Sequence, residues 1–138
     1  MKITVCVLFV VLLTACKSAP NTTLYQQLNG HEGIERLTDS FINQIGNDDK
    51  ILAYFRDANV AHFRNGFINH LCALTDGPCE YTGDSMVAIH TGMNITEADF
   101  NRVVDLLISA MEEQNISHTI QNKILAKMAP LRPEIIRI

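Results

Sequence analysis

Five histidines and four cysteines are the residues of this 138-residue chain best suited to binding a metal, moving protons or cross-linking the backbone. His31 lies in a polar turn and His118 in the first turn of a helix, so both read as solvent residues. His62 precedes Phe63 and falls on the flank of its helix. His70 comes three residues after Phe67 and seven after Phe63, which lets it touch a core. Its plain reading is a satisfied, partly buried histidine. His90 differs in context. It follows Met86 by four residues, on the same face of a short helix that ends near Gly92. An imidazole there is held by the helix yet can point out of its end. Its Nδ1–H can reach a main-chain carbonyl one turn earlier, that of Met86, which leaves Nε2 to bind iron. Spacing alone equally allows a core or capping histidine.

The cysteines divide by position. Lys2 precedes an apolar run of nine residues, Val5 to Leu13, long enough for a signal sequence and too short for a permanent membrane span. Leu13-Thr14-Ala15-Cys16 follows and resembles the lipobox of bacterial lipoproteins. On that pattern residues 1–15 are a signal peptide, Cys16 carries lipid, and residues 16–22 form a tether. The membrane then meets the chain only through acyl groups on Cys16. Lys17, which is not Asp, points to the outer membrane, with the domain facing the periplasm of a bacterial envelope. Cys6 leaves with the signal, so Cys72 and Cys79 remain. An even pair in an oxidising compartment favours a disulfide. The rival, a metal pair completed by His70, has poor zinc spacing.

These residues need a scaffold, and the composition allows one. Apolar residues make up 47% of the chain and Gly plus Pro only 11 positions, enough to fill a single core. The formal charge of −4 gives no basic surface for nucleic acid. The periodicity is helical throughout and predicts an all-α fold with four main helices and several short ones. Thr23-x-x-Gln26 is a capping box opening a short helix, Leu24 to Leu28, stopped at Gly30. A helix from about Glu32 to Ile45 carries Ile34, Leu37, Phe41 and Ile45, with Ile42 widening the stripe. Ile51, Leu52, Tyr54 and Phe55 form a brief apolar cluster. Asp57 or Asn59 caps a helix reaching about Thr75, with Val60, Phe63, Phe67, Leu71 and Leu74 on its apolar face. Ser85 caps a short helix from Met86 to about Thr91. Thr96-x-x-Asp99 opens a long one to about Gln114, and Ser117 caps the last, which Pro130 and Pro133 kink or end.

Several ordered stretches then carry a resemblance. They are Leu24-Tyr25-x-x-Leu28-x-Gly30, Asp39-x-Phe41, Tyr54-Phe55, Gly77-Pro78-x-x-Tyr81-Thr82-Gly83-x-x-Met86-x-x-x-His90-x-Gly92, Thr96-x-x-x-Phe100 and Ala129-Pro130-Leu131-Arg132. The sequence resembles the group I truncated haemoglobins over about residues 23–134. The resemblance implies a two-over-two helical sandwich around haem b (iron protoporphyrin IX) in a domain spanning residues 23–138. It implies His90 as the proximal iron ligand, Phe55 packed on the porphyrin, and Tyr81 and Met86 at the haem edge and proximal side. The distal side departs from the family. Ile42 stands where a Tyr often hydrogen-bonds the gas ligand, and Phe63 and Phe67 stand where a Gln often does.

The resemblance implies reversible binding of dioxygen, nitric oxide or carbon monoxide. It also brings nitric oxide dioxygenation, for which this chain would need an external reductase, since it has no nicotinamide or flavin motif. A second class is an electron-transfer or redox-sensing haem protein with His62 or His70 as sixth ligand and Cys72–Cys79 as reporter. A third is a structural lipoprotein without cofactor. The apolar distal positions favour the gas binder, with fast dioxygen release and easy oxidation to the ferric state.

Overall fold

The structure is a computed structural model that describes residues 22–138. The signal sequence expected over residues 1–15, Cys6, Cys16 and most of the expected tether lie outside the described residues. All regular elements among the described residues are helical: α1 (Leu24–Gln27), α2 (Gly30–Gly46), α3 (Asp49–Leu52), α4 (Val60–Leu74), α5 (Met86–His90), α6 (Glu97–Glu113) and α7 (His118–Met128). Two 3-10 stretches, Ala53–Phe55 and Ala129–Glu134, extend α3 and α7. α2 and α4 form one layer, α6 and α7 the other; α2 lies on α6, and α4 meets α7. This is the two-over-two sandwich expected from the sequence.

Local chemistry starts most of these helices. Thr23 and Gln26 make the reciprocal capping box that opens α1. Asn59 caps α4 by accepting from the His62 N–H, and Ser85 caps α5 by accepting from the Ala88 N–H. Gly30 does not merely stop α1. Asn29 and Gly30 both take positive φ, so the chain turns at once and Gly30 is the first residue of α2. Ser117 sits at the cap position of α7, but its side chain makes no capping bond. Pro130 and Pro133 do not kink α7; the chain tightens into the 3-10 stretch that contains them.

The core lies where α2 crosses α6. Ile34, Leu37, Phe41 and Ile45 meet Leu106, Leu107, Ala110 and Met111, with Leu71 of α4 and Ile124 of α7 closing the sides. Small residues let the helices approach: buried Ser40 faces Ala110 and donates its hydroxyl to Glu113. Val60, expected on the apolar face of α4, is 54% exposed. It is the first residue of that helix, beyond the edge of the partner layer.

The corner between α2 and α4 is pinned by two reciprocal ion pairs. Asp48 caps α3 and binds Arg102 of α6 at 2.6 Å, while Asp99, which completes the Thr96 capping box of α6, binds Lys50 of α3 at 2.7 Å. The Thr96 and Tyr54 hydroxyls also donate to Asp99, at 2.6 and 2.9 Å. The Lys50 ammonium, then Thr96 and Tyr54, hold the Asp99 carboxyl well below the usual carboxylate range. The Ile51 N–H, then Arg102, lower Asp48 in the same way. On the other flank, Arg64 of α4 makes a two-point bond to Asp39 of α2 at 2.6 and 2.9 Å.

Folded-state carboxyls held low stabilise the fold above the unfolded value of about 3.9, and that contribution is lost as pH falls through their depressed values. Urea unfolding therefore keeps its midpoint down to about pH 5 and loses it progressively below about pH 4. Asp99→Asn lowers the midpoint at neutral pH and flattens the acid slope; an unaltered slope in that variant would refute the assignment.

Candidate functional site

The wall built by α2, α4 and the Ala53–Phe55 turn is aromatic. Phe41 lies 5.1 Å from Phe67 between ring centroids, Phe67 5.7 Å from Phe63, and Phe63 5.0 Å from Phe55. Helical spacing puts Phe63 and Phe67 one turn apart, and the Asp48–Arg102 and Asp99–Lys50 pairs hold the corner that brings Phe55 to them. Phe55, Phe63, Phe67 and the adjacent Ile42 are each half-buried, so the wall keeps an apolar face that the core does not cover. None of these four side chains carries a hydrogen-bond donor.

His70 stands one turn beyond Phe67 and meets Tyr81 edge to face, with ring centroids 5.0 Å apart. It is half-buried as its spacing predicts, but it is not satisfied: its Nε2 is buried with no hydrogen-bond partner. Burial pushes its imidazole below the usual histidine value. His31, His62 and His118 are exposed. Of the two candidate sixth ligands, His70 is half-buried against Tyr81 and His62 is exposed.

From α4 the chain passes through a closed loop to α5. Cys72 and Cys79 are disulfide-bonded with Cα atoms 5.8 Å apart, so no thiol pair remains for a metal with His70. Gly77 lies inside this loop, where a Cβ would stand 2.6 Å from the Tyr25 ring and 2.7 Å from the Cys72 sulfur. Tyr81 donates its hydroxyl to the Asp84 carbonyl at 2.8 Å, one residue before Ser85 caps α5.

α5 is five residues long, Met-Val-Ala-Ile-His, and none of them is buried. Val87 and Ile89 are 45% and 44% exposed. Met86 and His90 are half-buried. The His90 Nδ1 and the Met86 carbonyl oxygen are 2.8 Å apart, the contact that the spacing predicts. With the proton on Nδ1, the imidazole donates there and its Nε2 lone pair is the free donor to a metal. Gly92 then takes φ +82°, a conformation that suits glycine, and ends the segment.

Among the described residues no group of three or more His, Cys, Asp or Glu converges as a metal cage. The chain offers one imidazole held in this way, that of His90, and an aromatic wall with a face that the core leaves uncovered. Those residues fit a flat apolar macrocycle that brings its own equatorial ligands and takes one from the protein, which is what haem requires. A separate cleft of about 400 Å³, lined by residues such as His31, Glu35, Arg64 and Asn69, lies on the outer flank of α2 and α4. Arg64 pairs there with Glu35 and, beside the cleft, with Asp39, so the cleft reads as a solvated ionic face. Spacing alone did not reveal the pairing of His70 with Tyr81 or the contact of the chain's last residues with Gly92. The first depends on loop closure, and the second on main-chain bonds that carry no side-chain signature.

A buried polar atom without a partner costs about 1–3 kcal/mol. His70→Leu should raise the stability of the haem-free chain by an amount of that order in urea unfolding at pH 7. A loss of stability would mean that the imidazole has a partner in solution.

The sequence profile of the bacterial-like globin family matches residues 23–137. The chain is similar to a group 1 truncated haemoglobin of Mycolicibacterium paratuberculosis, with 27% identity over 124 residues, 90% of this chain and 91% of that protein. A group 1 truncated haemoglobin of Nostoc is 28% identical over 96 residues, covering 70% of this chain and 81% of that one. Among solved structures, the truncated haemoglobin of Tetrahymena pyriformis in its Fe(III) form superposes with a TM-score of 0.81 at 20% identity, over 85% of this chain and 100% of that one. The 2/2 haemoglobin of Synechococcus, solved with covalently attached haem, gives 0.79 at 17% identity, over 85% and 100%. At these identities the structural likeness speaks for the fold.

Proposed function

The chain belongs to the bacterial-like globin family, and on that premise we propose that it holds haem b through His90 and reversibly binds a diatomic gas: dioxygen, nitric oxide or carbon monoxide. The observation that carries this reading is the hydrogen-bond contact between His90 Nδ1 and the Met86 carbonyl. It selects the tautomer whose Nε2 donates to a metal and makes that nitrogen more basic. Haem held by His90 would supply an iron able to bind a diatomic gas.

The residues of the chain decide the rest. Met86 and Tyr81 flank the proximal side and the haem edge, and Phe55 packs on the macrocycle. Ile42, Phe63 and Phe67 cover the distal side with hydrocarbon. They exclude water and give a ligand no N–H or O–H donor. A ligand that draws negative charge onto its outer atom, as dioxygen does, forgoes a bond worth about 1.5–3 kcal/mol; carbon monoxide loses much less. Without such a donor, dioxygen would be released fast. Nitric oxide dioxygenation would need both a longer-lived complex and an external reductase, so gas binding is the better-supported role. The lipobox-like stretch that ends in Cys16 supports a location at the cell envelope, facing the periplasm.

Two variants test the reading. His90→Gly should fold with unchanged helical ellipticity and lose the imidazole-ligated haem spectrum, which added imidazole restores. An unchanged spectrum without imidazole would end the proposal. Ile42→Tyr should slow dioxygen dissociation by about 10- to 150-fold, the equivalent of one charge-assisted hydrogen bond, with little effect on carbon monoxide. No change in stopped-flow traces would show that Ile42 does not face the ligand.

A further inference from the structure

We propose that the last residues of the chain, Ile135–Ile138, form a strap that positions His90. The inference rests on the haem reading above and adds to it the element that holds the proximal ligand in place. α5 has little of its own to fix it. It has no buried residue, and its principal packing partner is the 3-10 stretch Ala129–Glu134 from which the strap continues.

Two main-chain hydrogen bonds tie the strap to the segment just after His90. The Gly92 N–H donates to the Ile138 carbonyl at 3.0 Å, and the Arg137 N–H donates to the Ile95 carbonyl at 3.1 Å. The bonds run in opposite directions, so together they set register as well as distance. One end of the bridge is two residues from His90, and the other is buried Ile95. The base of the strap is itself fixed on α6. Arg132 pairs with Glu97 at 3.2 Å and lies over the Phe100 ring at 5.7 Å.

The backbone at Arg137 supports a positioning role. It holds φ +55°, in the left-handed region that favours glycine. A non-glycine residue stays there only where its surroundings impose it. Here the imposed residue is the one whose N–H reaches Ile95. Upstream, the Cys72–Cys79 loop limits where α5 can begin, and downstream the strap limits where it can end. The direction of the imidazole is then set from both sides, although no strap side chain needs to touch the ligand itself.

The test uses the full chain in mild detergent, loaded with hemin. Arg137→Pro removes the N–H and forbids positive φ, and a chain ending at Ile136 removes both bonds. Arg137→Gly keeps the N–H and relieves the backbone. Readouts are the ferrous iron–histidine stretching band by resonance Raman, the rate of haem transfer to an apo-globin acceptor, and hydrogen exchange of the Ile89 and Thr91 amides in the haem-free chain. Arg137→Pro and the shortened chain should lose haem about 10-fold faster, the usual scale for removing a support behind a metal ligand. They should also show a shifted or broadened band and faster exchange in α5, with helical ellipticity preserved. Arg137→Gly should match the parent. Parental haem loss and band in both disrupted forms would overturn the strap, and so would Arg137→Gly behaving like Arg137→Pro. Collapse of helical ellipticity in both disrupted forms would likewise overturn a local positioning role, since the segment would then serve the fold as a whole. A parent that takes up no hemin would instead defeat the haem reading, and the α5 exchange rates would still report whether the strap holds the helix.

Discussion

One hydrogen-bond contact, between the His90 imidazole and the Met86 carbonyl, is the constraint on which the proposed site depends. It lies inside a helix of little more than one turn, too short to be stable by itself. The helix exists because Ser85 caps its start, Gly92 turns its end, and neighbouring segments hold it. The orientation of the imidazole is thus a tertiary property expressed through a local contact. With the other tautomer, or with the helix frayed, the same residue would be one more surface histidine like His62.

The two sides of the site are built differently. The aromatic wall grows directly from the core. Phe41 is buried, and each ring from Phe67 to Phe55 packs on the one before it. The crossed pairs of Asp48 with Arg102 and Asp99 with Lys50 hold the corner from which Phe55 projects. The proximal arm has no such foundation and relies on covalent and main-chain ties at its edges. Regions with few buried apolar contacts are the ones that open first in a folded protein. α5 is such a region, while α2 and α6 are the part that opens last.

Local determinants were the ones legible in the sequence. The caps at Thr23, Asn59, Ser85 and Thr96 act within three residues, and all four appear in the structure as their residue types predict. The Met86–His90 contact is an i,i+4 relation and was readable for the same reason. Cysteine parity led to the Cys72–Cys79 bridge. What escaped was long-range or positional. The hydropathy of Val60 says nothing about whether another layer extends over it. The burial of His70 against Tyr81 depends on how the loop returns that ring to α4. The bond from Gly92 to Ile138 joins two backbones, and any residue but proline could donate it as well.

The disulfide closes a ring that runs from the end of α4 to the loop leading into α5. A protease that cut the exposed backbone at Asp76 or Pro78 would break the main chain without parting the molecule. The fragment bearing the aromatic wall and the fragment bearing His90 would stay tethered through sulfur and remain side by side. On a denaturing gel such a nicked chain would run as a single band of full mass until a reducing agent separated it into two.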